Sequence, residues 1–186
     1  MMLAELAKEV QNCTKCSLAE RRRTVVFGEG NPQARLMLIG EGPGEEEDRQ
    51  GRPFVGAAGQ LLDRILAAAG FKREEVYIAN VVKCRPPGNR VPTRVEAAAC
   101  IPWLFEQLKL ISPRIIVLLG STALQNLVDP QARITAMRGQ WLVSKSGIKI
   151  MPTYHPAALL RDPGKKAPVW EDMQKIRDEY MKLIDE

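Results

Sequence analysis

Residues 35–56 read RLMLIGEGPGEEEDRQGRPFVG. Leu36-Met37-Leu38-Ile39 is a continuous apolar run, the pattern of a strand buried on both faces of a sheet. It breaks at Gly40-Glu41-Gly42-Pro43-Gly44, where glycines and a proline end any regular element. The acids Glu45-Glu46-Glu47-Asp48 follow and read as a solvated loop. Gly51-Arg52-Pro53-Phe54-Val55-Gly56 then holds an aromatic in a second glycine-flanked turn. In an open parallel sheet, ligands bind beyond the carboxyl ends of the strands. A strand emptying into so charged a loop marks the first place to look for chemistry.

Working outward, apolar runs recur at Val76–Ala79, Ile115–Leu119 and Ile148–Thr153. Helical periodicity occupies the intervals. Gly59 to Ala69 points Leu61, Leu62, Ile65 and Leu66 inward and stops at Gly70. Pro92-Thr93 opens a helix that carries Cys100 to about Leu110, and a last helix spans about Val169 to Ile184. Met2 to Gln11 forms a short amphipathic helix with Leu3, Leu6, Ala7 and Val10 on one face. Gly120-Ser121-Thr122 starts another helix, with Ser121 expected as its cap. The alternation predicts an α/β fold, a three-layer α/β/α sandwich around a central four-stranded parallel sheet. It also places Glu41, Asn80 and His155 just past strand ends, on one face of the molecule.

The chain has 186 residues, is 45% hydrophobic and 26% charged, and carries a net charge of +5. That describes a single globular domain spanning 1–186, and the positive charge suits an anionic partner, DNA or RNA, or mere solubility. The N-terminus carries acids and lacks a long apolar stretch, so no signal peptide is expected. Nothing approaches a membrane span, and a cytosolic protein is expected. In that compartment Cys13, Cys16, Cys84 and Cys100 are not expected to form disulfides. Two cysteines spaced C-x2-C and two more downstream supply the four ligands of a closed metal site. Zinc and a [4Fe–4S] cluster both satisfy that count. No dinucleotide fingerprint accompanies them, which favours a structural over a redox role.

Each remaining candidate has a bland reading beside the chemical one. His155 is the only histidine; it is either a packed residue or a hydrogen-bond donor to an anion formed on a leaving group. Asn80 is a turn residue or an amide that reads a base edge. Phe54 is core or a stacking platform. Glu41 is the carboxylate nearest a strand end and can orient a water. Arg21-Arg22-Arg23 is solvated surface or a phosphate contact.

Taken together, Gly40–Asp48, Gly51–Gly56, Asn80 with Val81–Pro87, and His155-Pro156-Ala157-Ala158-Leu159-Leu160-Arg161 resemble the uracil-DNA glycosylase superfamily. The resemblance is strongest to its family-four, iron–sulfur-bearing branch and extends from about Cys13 to Arg161. It implies an enzyme, monofunctional and monomeric, that removes uracil from single- or double-stranded DNA in the nucleoid. It further implies a structural [4Fe–4S] cluster, with zinc the alternative. Phe54 would stack on a flipped uracil, Asn80 would pair with O4 and N3–H, and His155 would stabilise charge on O2. The backbone around Gly40–Gly44, Gly40 and Gly42 above all, would contact the base and hold the attacking water. Lys83, Arg85, Arg90 and Arg161 would contact DNA phosphates, and Leu159 or Leu160 would wedge into the vacated stack. Better-known relatives carry an aspartate where Gly42 stands and a tyrosine where Gly44 stands. Glu41 is then the remaining carboxylate, and thymine exclusion would fall to Glu47.

Overall fold

The computed structural model describes residues 1–185. Among the described residues six strands form one sheet: β1 (Glu29–Gly30), β2 (Leu36–Gly40), β3 (Tyr77–Asn80), β4 (Ile115–Leu119), β5 (Leu142–Val143) and β6 (Lys149–Thr153), in the spatial order β1-β3-β2-β4-β6-β5. The sheet is therefore mixed and six-stranded, not a four-stranded parallel one. The four strands expected from the apolar runs are parallel to one another. The two additions are two-residue strands paired antiparallel at the edges, too short to leave a periodic signal.

Eight α-helices among the described residues surround it: α1 (Leu3–Gln11), α2 (Glu45–Gln50), α3 (Ala57–Ala68), α4 (Arg94–Ile111), α5 (Ser121–Leu127), α6 (Ile134–Met137), α7 (Pro156–Arg161) and α8 (Lys166–Ile184). Alternate side chains of each strand feed opposite cores. Met37 and Ile39 pack with Leu6 and Val10 of α1, Leu104 of α4 and Leu124 of α5. Leu36 and Leu38 pack with Leu62 and Leu66 of α3 and with Met173 and Ile176 of α8. Every residue of β2 and β4 is buried, the reason their sequences are unbroken apolar runs rather than alternating ones.

Two local expectations are corrected. Glu45–Asp48 is not a solvated loop but the body of α2, whose Asp48 is buried and accepts the backbone N–H groups of Arg23 and Thr24. Acids suit the first turn of a helix because they face its positive end. Ser121 does not cap α5: Gly120 holds that position at φ +92° and Ser121 is exposed. The helix with a side-chain cap of that kind is α4, where Thr93 accepts from the Glu96 N–H and Glu96 accepts from the Thr93 N–H.

The winding reverses between β2 and β4. From β2 the chain moves outward to β3, then returns across β2 to β4 and on to β6. Loops leaving β2 and β4 diverge there and open a crevice at their carboxyl ends.

Candidate active site

That crevice is a cavity of about 340 Å³, of the size that takes a small planar ligand. Glu41, Gly42, Glu47, Phe54, Asn80 and His155 all line it. Residues more than one hundred positions apart in the chain thus share one mouth.

Phe54 is placed by its neighbours rather than by its own preference. It sits at φ +50°, a left-handed conformation that costs a non-glycine residue free energy. Glu47 holds the turn from one side: its Oε2 accepts from Val55 N (2.8 Å) and Gly56 N (2.6 Å), while Oε1 accepts from Gly44 N at 3.0 Å. A single carboxylate therefore ties both glycine loops together. From the other side Arg73 donates to Phe54 O (2.9 Å) and to Pro53 O, and pairs with Glu29 and Asp63. A Cβ on Gly59 would lie 2.0 Å from the Phe54 carbonyl group, so only glycine lets α3 approach the turn this closely. The Phe54 ring stacks beside His155, with centroids 5.4 Å apart and planes at 30°.

Gly40 does not line the cavity itself but lies behind Phe54 and Asn80. A Cβ there would meet the Phe54 ring at 2.6 Å and Asn80 Oδ1 at 2.7 Å. Asn80 is 2% exposed, and its Oδ1 is the buried side-chain polar atom left without a hydrogen-bond partner among the described residues. An orphan of this kind costs about 1–3 kcal/mol. It is an acceptor waiting for an N–H.

His155 begins α7, and its Nδ1 accepts from Ala157 N at 3.0 Å. The ring proton therefore sits on Nε2. Burial first, and the nearby Arg161 cation second, push its pKa down to about 4. The ring is neutral at physiological pH and presents a donor, not a charge. Gly120 makes room for it, since a Cβ there would lie 2.9 Å from His155 Cβ.

Glu41 is held by a residue that sequence reading passed over. Its Oε2 accepts from Thr122 Oγ1 at 2.5 Å across the switch point between β2 and β4. Thr122 stood at a strand end in the sequence, but nothing there placed it opposite Glu41. Arg73 left no signal at all. Asn89, at φ +59°, also lines the cavity and accepts from Arg85 Nε at 2.7 Å.

The expected DNA-facing residues divide. Arg161 and Leu160 are exposed, Arg85 is half-buried, and exposed Arg90 holds Glu96 through two hydrogen bonds of 2.7 and 2.9 Å. Leu159 is 1% exposed and belongs to the core beneath the sheet, so it cannot wedge into a base stack. Lys83 is likewise 1% exposed with its ammonium spent inside the protein, so it cannot reach a phosphate. Helical spacing distinguishes Leu159 from Leu160 only once the axis of α7 is known. Lys83 looked like surface because lysine almost always is.

The four cysteines line a second, smaller cavity together with Leu18, Ala19 and Arg22. Three sulfurs already receive N–H groups: Cys13 from Trp103 Nε1 (3.3 Å), Cys84 from Arg22 (3.6 Å) and Cys100 from Lys83 N (3.3 Å). Arg22 therefore turns inward, also donating to Cys13 O at 2.6 Å. Burial pushes the Cys84 thiol up and the Cys100 thiol up to about 11. Among the described residues no three His, Cys, Asp or Glu side chains are grouped so as to hold a single metal ion.

The family model described as the Uracil DNA glycosylase superfamily matches residues 27–174. Over 179 residues the chain is 49% identical to a type-4 uracil-DNA glycosylase of Thermotoga maritima, covering 94% of this chain and 93% of the relative. It is 44% identical to that of Sulfurisphaera tokodaii, over 95% and 84% of the two chains. A type-5 uracil-DNA glycosylase of Pyrobaculum aerophilum is 32% identical over 73% of this chain and 67% of its own length.

Proposed function

The chain belongs to the uracil-DNA glycosylase superfamily, and from that premise we propose how its own residues remove uracil from DNA in base excision repair. It is a hydrolase of the N-glycosyl bond. The observation that carries the residue assignments is the unpartnered Asn80 Oδ1 on a cavity that also presents Phe54 and a neutral His155. Uracil offers N3–H beside the O4 acceptor, and a carboxamide offers the matching acceptor and donor. Cytosine reverses that pattern and leaves Asn80 and the base mismatched in a desolvated site, a penalty that discriminates strongly.

Extracting the nucleotide from a duplex costs a few kcal/mol. Stacking on Phe54 at about 1–3 kcal/mol per base and phosphate contacts from Arg85, Arg90 and Arg161 offset it. Leu160, the exposed member of the leucine pair, is the residue to fill the gap in the stack. As the glycosidic bond breaks, the sugar gains oxocarbenium character and negative charge collects on the base. His155 Nε2–H is the donor for O2, a contact worth about 3–4 kcal/mol in comparable oxyanion sites. Glu41, oriented by Thr122, holds the attacking water against the Gly42 backbone. Glu47 acts by keeping the two glycine loops in register. The cavity lining contains no lysine among the described residues, which supports hydrolysis without a covalent amine intermediate.

The cysteine cavity fits a [4Fe–4S] cluster held by Cys13, Cys16, Cys84 and Cys100. Four sulfurs with N–H donors aimed at three of them suit a thiolate-ligated guest. Zinc takes the same four thiolates and is the alternative guest. The cluster would supply structural cross-linking of the N-terminal segment to the Cys84 loop and α4, and no chemical step passes through it.

The test is incubation with uracil-, cytosine- and thymine-containing oligonucleotides, followed by cleavage at abasic sites. Asn80→Ala is expected to lose uracil excision by at least about 10²-fold; wild-type excision by that variant would overturn the assignment of Asn80.

A further inference from the structure

Lys83 lies in the protein interior, 1% exposed, and the chemistry of uracil release leaves it idle. Its ammonium donates to Asn80 O at 3.0 Å and to Gln107 Oε1 at 2.5 Å. Gln107, wholly buried, passes the network on through Nε2 to Phe27 O at 2.8 Å and Tyr77 Oη at 3.4 Å. The backbone of the same lysine is tied at both ends: its N–H donates to Cys100 Sγ and its carbonyl accepts from Val26 N at 2.8 Å. The next residue is Cys84, a wall of the cysteine cavity.

Desolvating an ammonium costs several kcal/mol, and both of these acceptors are neutral oxygens. A strand-end carbonyl is ordinarily satisfied by a hydroxyl, an amide or a water at far lower cost. What the lysine adds is a charge-assisted bond, about twice as strong as a neutral one. That bond pins the peptide from which the Asn80 side chain projects. Asn80 Oδ1 has no partner of its own to hold it, so its aim depends on its backbone.

We propose that Lys83 is a positioning residue for Asn80, clamping the base-reading amide to the wall of the cysteine cavity. The inference rests on the reading of Asn80 as the residue that pairs with the base. It connects the cysteine cavity to base recognition, because Cys84 and Cys100 fix Lys83 and Lys83 in turn fixes Asn80.

A double-mutant cycle separates this from general structural support. Single-turnover excision from a uracil-containing single-stranded oligonucleotide is measured for the full chain carrying K83M, N80A and both, with melting temperature and visible absorption followed in parallel. K83M is expected to lose about 100-fold in rate, the cost of displacing a reacting partner by about 1 Å. In the N80A background K83M is expected to change nothing beyond about two-fold, the margin of additivity. The same K83M factor in both backgrounds, or no loss in the wild-type background, overturns the proposal while leaving the Asn80 reading intact. Full excision by N80A alone takes down both. Should K83M not fold, Q107M removes the second acceptor of the ammonium and carries the same cycle: coupling to N80A supports the clamp, and additivity refutes it.

Discussion

Asn80 and Cys84 lie four residues apart and line two different cavities. The first lies beyond the strand ends and leaves two groups uncommitted: Asn80 Oδ1 has no partner and His155 engages only Nδ1, while Glu41 and Glu47 are already held by Thr122 and by three backbone N–H groups. The second is smaller, and three of its four sulfurs already receive an N–H. A cavity for a guest that comes and goes must leave hydrogen-bonding capacity unspent, at a cost in stability of about 1–3 kcal/mol per buried orphan. A cavity for a resident guest can saturate its walls, because nothing there has to be released. The contrast between unspent and spent polar groups separates function from support in this fold.

Two substitutions test whether that contrast is real. His155→Ala is expected to lower uracil excision about 10²–10³-fold with the melting temperature close to wild type, read by oligonucleotide cleavage and calorimetry. An H155A protein that melts early and excises normally would invert the comparison. Cys84→Ser is expected to do the reverse in emphasis. If the four cysteines hold the proposed cluster, losing one of them should abolish visible absorption and lower the melting temperature by roughly 10 °C, given about 2–4 °C per kcal/mol at this chain length. Excision per folded molecule should fall less than in H155A. A C84S protein with unchanged absorption and melting would remove the cysteine cavity as a source of stability.

The smallest effect sharpens the comparison through pH. Because burial and Arg161 hold His155 near 4, excision should stay level from pH 7 to about 5 and decline only towards 4, well below the 6.5 of a free imidazole. The sign follows from the hydrogen bond: a proton on Nδ1 would face the Ala157 N–H that it now accepts. The unfolded chain takes up that proton first, so this histidine also erodes stability as pH falls from about 6.5 to 4. A rate profile that breaks near 6.5 would mean the ring is not buried as described.

Much of the architecture was legible beforehand because it rests on local patterns. Buried parallel strands are apolar runs, and Leu36–Ile39 and Ile115–Leu119 announce themselves without reference to the rest of the chain. The edge strands did not, since two residues carry no period. Glu45–Asp48 misled because four successive acids suit a loop and a helix N-terminus equally well. Glu41, Phe54, Asn80 and His155 were legible as polar and aromatic residues at strand ends and turns, and they line one cavity. Thr122 and Arg73 were not, because Glu41 lies 81 positions from Thr122 and Phe54 lies 19 from Arg73.

What the amino-acid order determined alone was the alternation of strand and helix, the chemistry gathered at the strand ends, and the four-sulfur count. Those follow from side-chain type and short spacing. Tertiary structure alone decided that Lys83 faces inward and Arg161 outward, that Leu159 is core and Leu160 surface, and that Glu47 joins two loops instead of standing free. Burial is a property of what packs above a residue, and that is set by segments far away in the chain.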